Sequence, residues 1–278
     1  MSRPHWSYSR LAQYLRCPLQ FYFERVLRLP RPFLPSGLVL GAAVHEALAD
    51  YHRALMLFRP LGTHQVGDAF LTTWRRRTTT ERIQYRATET PTGLIEQGLG
   101  LIETYLNATP PTAILTVERS MTVPLFDPQG RYLDRPLVTV PDLICDDVGE
   151  LTVIELKTSG RRYGQADVDL SLQATCYAFA VSTYHGRPAV VRYRVLLKNK
   201  TPQLQELDTR RTNAEFVRLC EIVRKVQRAI DSDLFYPIES PMNCSTCPYR
   251  GPCREWTGVV SEKGACHAVD ERQEVAAC

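Results

Sequence analysis

The sequence predicts an α/β protein: a mixed central sheet flanked by helices, with a helical part before it and a cysteine-rich segment after it. Three observations predict this. Apolar residues recur at helical spacing through roughly the first 110 residues. The pattern then switches to a period of two around a tight turn. Further strands alternate with helices beyond that point. The order (helices, three strands, helix, two strands, helix) suits one mixed sheet covered by helices.

The elements follow in order. Ser7 can cap a helix that runs to about Arg16, with Tyr8, Leu11, Tyr14 and Leu15 on one face. Pro18 suits the first turn of a second short helix carrying Phe21, Phe23 and Val26. Gly37 to Leu57 is predicted as a long helix, and two more fall at about 64–82 and 92–107. Pro110 and Pro111 end this part. Residues 113–125 alternate as a strand, Leu137 to Cys145 is a second strand, and Leu151 to Lys157 is a third. Asp146-Asp147-Val148-Gly149 makes the turn between the last two. A helix over 166–184, strands at Val190 to Leu197 and 203–208, and an amphipathic helix over 213–231 complete the core. The reading is one domain over 1–258, with its helical part at about 37–110, its sheet core at about 111–232 and a polar tail at 259–278.

Composition excludes several classes. A chain of 278 residues can bury a core without disulfides. Its 44% hydrophobic and 23% charged content excludes widespread disorder, collagen and a small disulfide scaffold. No apolar run approaches the roughly 20 residues of a membrane span, so no membrane partner is expected. Met1 to Trp6 have no apolar core, which predicts no secretory signal and a cytoplasmic home. Net charge is +4, and the bases comprise 29 arginines and five lysines. The bland reading of that excess is a genome-composition bias toward arginine codons. Still, Arg3, Arg10, Arg16, Arg25 and Arg28 face a single acid, Glu24, within the first 30 residues. The run Arg75-Arg76-Arg77 and the pair Arg161-Arg162 add basic stripes of the kind that suit a polyanion. No G-x-x-x-x-G-K-[ST] occurs, so the chain carries no phosphate loop for an ATP motor.

The sharpest segment is Val140-Pro141-Asp142 followed by Glu155-Leu156-Lys157. Glu155 and Lys157 are two apart on a strand, so both side chains leave one face. Asp142, across the turn, can meet Glu155. Two carboxylates and the Leu156 carbonyl offer oxygen ligands to a hard cation such as magnesium. Lys157 can hold an attacking water or offset charge developing on phosphate. The bland alternative is an Asp near a turn and an ion pair on an exposed strand. Leu151, Val153, Ile154 and Leu156 weigh against it, because they mark a central strand.

This pattern resembles the PD-(D/E)XK nuclease superfamily in its Glu form, and within it the RecB-type nucleases. Tyr8 to Phe23, YSRLAQYLRCPLQFYF, is similar to that family's opening helix and cysteine. Gly41 and His45 resemble its helical G-x-x-x-H element, and Gln173 and Tyr177 its Q-x-x-x-Y element. Cys244-x-x-Cys247-x5-Cys253 resembles its C-terminal metal-binding cysteines. The match follows the family's order over nearly the whole chain. It implies a restriction-endonuclease-like fold and a metal-dependent DNA exonuclease. His45, Asp142, Glu155 and the Leu156 carbonyl would hold Mg2+ or Mn2+; Lys157, Gln173 and Tyr177 would complete the catalytic group. Glu118 would be an auxiliary acid.

Nine cysteines without a signal peptide point to metal or redox chemistry. Cys145, Cys176 and Cys220 sit among apolar residues and are expected to be packed thiols. The resemblance implies that the knuckle at 241–256 joins Cys17 in holding a 4Fe–4S cluster, a staple between the two ends of the domain. Zn2+ is the rival, and Cys266 with His267 could supply a fourth zinc ligand instead. The implied partner is DNA, in repair, recombination or CRISPR adaptation, with a separate helicase or a CRISPR integrase subunit alongside. Two other readings are a non-catalytic DNA-binding or scaffold subunit of a helicase–nuclease complex and an unrelated zinc-knuckle protein. The complete set His45, Asp142, Glu155 and Lys157 argues against a relic site.

Overall fold

The structure, a computed structural model, describes residues 4–258. The polar tail, and with it Cys266, His267 and Cys278, lies outside the described residues.

Ser7 caps helix α1 (Tyr8–Arg16), as its side-chain oxygen accepts from the Arg10 N–H. Pro18 opens α2 (Pro18–Phe21), which runs on into a π-helical turn over Tyr22–Val26. The helical part follows: α3 (Ser36–Met56), α4 (Thr63–Thr80) and α5 (Pro91–Leu106). A two-residue parallel pair, β1 (Leu34–Pro35) and β2 (Ile83–Gln84), ties its connections together.

The strands are β3 (Ile114–Val117), β4 (Met121–Val123), β5 (Leu137–Thr139), β6 (Leu143–Asp147) and β7 (Glu150–Ser159). Next come α6 (Gln165–Asp169), α7 (Leu172–His185), β8 (Ala189–Leu197), β9 (Gln203–Arg210) and α8 (Asn213–Asp231). Two short helices, α9 (Pro241–Cys244) and α10 (Arg250–Glu255), carry the knuckle. The main sheet has the order β3-β6-β7-β8-β9. Only the β7–β8 pair is parallel, so the sheet is mixed and β7 is its centre.

Three expectations need correction. Residues 113–125 are not one strand: β3 and β4 lie in different sheets, parted at Glu118, whose φ is +47°. Left-handed backbone turns the chain out of the ladder there. Leu137 to Cys145 likewise divides into β5, which pairs with β4, and β6, which pairs with β7. Pro141 stands at the break and has no N–H to give a ladder. Residues 166–184 form two helices, since Ser171 stops one run and caps the next by accepting from the Ala174 N–H. The predicted turn is present, with positive φ at Val148 and Gly149, as a two-residue hairpin requires.

Each face of the sheet has its own core. Leu143, Ile154, Leu156 and Leu196 pack against α3, α4 and α5. Val153, Val191 and Val195 pack against Ala174, Ala178 and Val181 of α7. A third cluster joins Leu11, Tyr14 and Phe21 to Leu219 and Val223 of α8, and to Phe235 and Tyr249. Helix α3 is pinned to the sheet side by a buried polar network. The Arg194 guanidinium donates to the Tyr105 hydroxyl at 3.1 Å and to the Thr109 carbonyl at 2.7 Å. That hydroxyl therefore turns its own proton to His52 Nε2, 2.9 Å away.

Burial, helped by the Arg194 charge, pushes His52 down to about 3, so the folded protein holds it neutral. The unfolded chain protonates it near the ordinary 6.5. Between those values the unfolded state binds more protons, so this contribution to stability falls as pH falls. Urea titrations of wild type and His52→Gln should show the wild-type advantage shrinking below pH 6.5 by about 1.4 kcal/mol per pH unit. A difference independent of pH would show that His52 is not held neutral.

Candidate active site beside the central strand

The site begins where β6 stops. Its ladder with β7 ends at the pair Leu143–Ile154, and Pro141 bars any extension. From Glu155 to Ser159, β7 keeps β8 on one side. On the other side a side chain replaces the missing strand: Asp142 Oδ2 accepts the Leu156 N–H at 2.7 Å. The Asp142 carbonyl accepts the Glu118 N–H at 2.9 Å. Its Oδ1 stands 3.5 Å from His45 Nδ1 on α3. Helix α3 comes this close because residue 41 is glycine; a Cβ there would stand 3.2 Å from Thr158 Oγ1.

Glu155 and Lys157 leave β7 on the same face and form a 2.6 Å ion pair. Gln173 completes the group from α7. Its Oε1 accepts from Lys157 Nζ at 2.8 Å, and its Nε2 donates to Glu155 Oε1 at 2.7 Å and to the Tyr177 hydroxyl at 3.0 Å. Tyr177 in turn donates to the Val140 carbonyl at 3.3 Å, reaching the residue before Pro141. Six expected residues thus meet: His45, Asp142, Glu155, Lys157, Gln173 and Tyr177. Leu156 meets them through its N–H rather than through a described contact of its carbonyl.

Burial dominates the electrostatics. It pushes the Glu155 carboxyl up to about 7, and the neighbouring Asp142 charge adds to this against the pull of Lys157. Asp142 is buried too, but His45, the Leu156 N–H and Lys157 outweigh that and hold its carboxyl below the usual range. Burial pulls Lys157 down while Glu155 pulls it up more strongly, so it stays an ammonium. The same balance raises His45, through Asp142. Among the described residues no three His, Cys, Asp or Glu side chains stand together closely enough to hold an ion as they are. Yet Glu155 Oε2 is buried with no hydrogen-bond partner, and the Asp142 charge acts on the same carboxyl. An unpartnered oxygen there is the donor a hard divalent cation takes, so the residues fit such an ion.

A family sequence profile, the PD-(D/E)XK nuclease superfamily, matches residues 5–254. The chain belongs to this superfamily. Its mixed sheet flanked by helices is the restriction-endonuclease-like arrangement. Members of the superfamily typically use Mg2+ or Mn2+. The chain is also similar to a crystal structure from Eubacterium rectale named "Putative exonuclease". That likeness has a TM-score of 0.52 and 11% identity, and covers 94% of this chain and 91% of the other. The crystal structure of SSO0001 is similar at a TM-score of 0.35 and 15% identity, covering 83% of this chain and 91% of that one. No curated protein sequence matches the chain. No helix among the described residues is long and apolar enough to cross a membrane.

Around the superfamily motif lies an open cleft of about 700 Å³, bordered by His45, Glu118 and Lys157. Glu118 reaches it, but is not free: Arg53 donates to its Oε2 at 2.5 Å and to Asp50 at 2.7 Å. Arg76 grips both oxygens of Glu46 at 2.6 and 2.9 Å. The sequence reading passed over Glu46, Asp50 and Arg53. Their helical spacing after His45 was the available signal, since i+4 and i+3 steps keep them near one face of α3. Of the basic stripes, Arg161 is paired with Asp167 at 2.8 and 2.7 Å, and Arg162 donates to Gln203.

The described cysteines fall into two groups. Cys145, Cys176 and Cys220 are buried free thiols; burial pushes Cys145 up to about 11 and Cys176 up to about 12, so none is a ready thiolate. Cys17, Cys244, Cys247 and Cys253 line one small cavity of about 30 Å³. Hydrogen bonds stitch the two chain segments around it. Leu19 N–H donates to the Tyr236 carbonyl at 3.0 Å, and the Tyr249 hydroxyl to the Leu29 carbonyl at 3.1 Å. Asn243 Nδ2 donates to the Arg16 carbonyl at 3.2 Å.

Gln173 is the hinge of the buried group, serving three partners at once. Gln173→Leu should lower unfolding free energy in urea by about 1–3 kcal/mol, because it strands buried charged groups. Tyr177→Phe loses the bond accepted from Gln173 and the long one donated to the Val140 carbonyl, neither of them to a charged group, and should cost less. A reversed order would mean that the network is not organised by Gln173.

Proposed function

We propose that the chain is a metal-dependent deoxyribonuclease that degrades DNA as an exonuclease, from ends or along single strands. The observation that carries this is Glu155: a buried carboxylate with one oxygen on Lys157 and Gln173, the other unpartnered, and the Asp142 charge acting on it. Asp142 and Glu155, with His45 and the Leu156 carbonyl, would hold Mg2+ or Mn2+. The bound ion would supply Lewis acidity toward phosphate and lower the pKa of water. Lys157, held as an ammonium by Glu155, donates hydrogen bonds rather than taking a proton. It can therefore orient the attacking water and offset charge on the phosphorane. Gln173 fixes the direction of Lys157, and Tyr177 fixes Gln173. Glu118 acts at one remove, through Arg53. The name of the E. rectale neighbour is in keeping with exonuclease action. DNA is the partner, in repair, recombination or CRISPR adaptation, and a helicase or integrase subunit would bring it. The cell compartment would be the cytoplasm.

The cysteines lining one cavity support a second part of the reading. Cys17, Cys244, Cys247 and Cys253 would bind a 4Fe–4S cluster that staples the segments already joined by hydrogen bonds. Zn2+ is the rival for the same four thiols.

Two measurements test these parts. Protein purified without oxygen should digest end-labelled DNA when given magnesium or manganese, and Lys157→Ala should be slower by about 10²–10³-fold. The label that disappears first gives the polarity. If neither protein cuts single or double strands, the nuclease reading fails. Metal analysis of the same preparation should find iron with acid-labile sulfide, lost in Cys247→Ala. Stoichiometric zinc without iron would assign the thiols to Zn2+ instead.

A further inference from the structure

Lys157 stands between two grooves of different chemistry. The His45 cleft on one side is lined with charged groups. The other groove, about 570 Å³, is lined by the rings of Tyr8, Tyr163 and Tyr193. Leu15 and Leu170, 47% and 85% exposed, edge it with aliphatic surface. The charged side chains on its lining are Lys157, Arg161 and Asp167, and the last two neutralise each other through the bidentate pair. Such a surface is a poor track for phosphates and a good face for something flat and apolar.

It is also built in advance. The loop that carries Tyr163 leaves β7 two residues beyond Lys157. Gln205 clamps it from β9, accepting from the Tyr163 N–H at 3.0 Å and donating to the Tyr163 carbonyl at 2.7 Å. The Arg161 guanidinium lies 5.4 Å from the Tyr163 ring centre. That ring is 6.4 Å from the Tyr193 ring, at an interplanar angle of 44°. The Tyr193 hydroxyl is tied to Ser171 at 2.7 Å. An ordered aromatic ladder loses little freedom when a ring is added to it.

We propose that this groove is a stacking subsite for unpaired nucleobases, which presents a single strand of DNA to Lys157. The inference rests on the nuclease reading and names the form of DNA that the site accepts. Bases within a duplex have both faces covered, so only a splayed strand can place a ring against Tyr163 and Tyr8. Stacking of this kind tolerates any base sequence.

The test measures binding by the full chain in EDTA, where no cutting is needed. The probes are a labelled oligothymidylate and an oligonucleotide of equal length with abasic sites. Wild type should prefer the thymidylate by about tenfold, and Tyr163→Ala and Tyr8→Ala should each erase much of that preference. Tyr163→Phe, which keeps the ring, should retain it. Abasic binding should be alike in all four proteins, which also shows that the variants are folded. Equal binding of the two probes by wild type, or an unchanged preference in Tyr163→Ala, overturns the subsite and leaves the nuclease reading standing. If wild type binds neither probe nor duplex DNA, both readings fall.

Discussion

The site depends on one hydrogen bond in which a side chain does the work of a strand. Asp142 accepts the Leu156 N–H where β6 can no longer supply a carbonyl. Pro141 forces that substitution, because it has no N–H and cannot extend the ladder. The consequences radiate from there. A carboxylate is brought against the central strand, and its second oxygen faces His45. Its backbone carbonyl holds Glu118, the residue at which β3 and β4 part. A continuous strand through residue 142 would have met the backbone's needs equally well. It would have left no acid beside Glu155.

The second constraint is the cost of burying charge. Glu155 is almost wholly enclosed, and an isolated carboxylate there would stay protonated. The protein offsets this only in part. Lys157 and Gln173 both reach the same oxygen, Oε1, and leave Oε2 with nothing. Meanwhile Asp142 adds a like charge nearby. A site selected for stability alone would divide its donors between the two oxygens. Concentrating them on one keeps the acid near neutrality without a cation and ready for one, so the unsatisfied atom reads as a functional reservation rather than a packing fault.

Much of this was legible in the sequence, and the limits have physical causes. Asp142, Glu155 and Lys157 stand out because strand periodicity puts the last two on one face and the turn brings the first across from them, whereas His45, Gln173 and Tyr177 are named through the resemblance, with helical spacing setting only the face they share. The helices α3, α5 and α8 fall where their apolar spacing sets them. Several element ends did not, because they hang on single residues: a positive φ at Glu118 and the missing N–H of Pro141 for strands, the cap of Ser171 for a helix. The ion pairs of Arg53, Arg76 and Arg161 were not legible either. Apart from the i,i+3 contact of Arg53 with Asp50 inside α3, these pairs (Arg53 with Glu118, Arg76 with Glu46, Arg161 with Asp167) join residues of different segments, whose meeting depends on how those segments pack. The basic stripes read from the sequence therefore overstate the free positive charge of the surface.

That last point bears on how a polyanion would be held. With Arg76 and Arg161 already paired to acids, long-range attraction gives less grip than the arginine count implies. Local shape must supply more of it. Among the described residues Lys157 is the one charged group that borders both grooves: the polar one with His45 and Glu118, and the aromatic one with Tyr8 and Tyr163. A nucleotide has that same division, charge on its phosphate and an apolar face on its base. Strand β7 supplies Glu155 and Lys157 and then leads directly into the loop of Arg161 and Tyr163. One run of chain can therefore set the distance between the group that meets the phosphate and the ring that meets the base. The rigidity of a central strand is what makes that spacing reproducible.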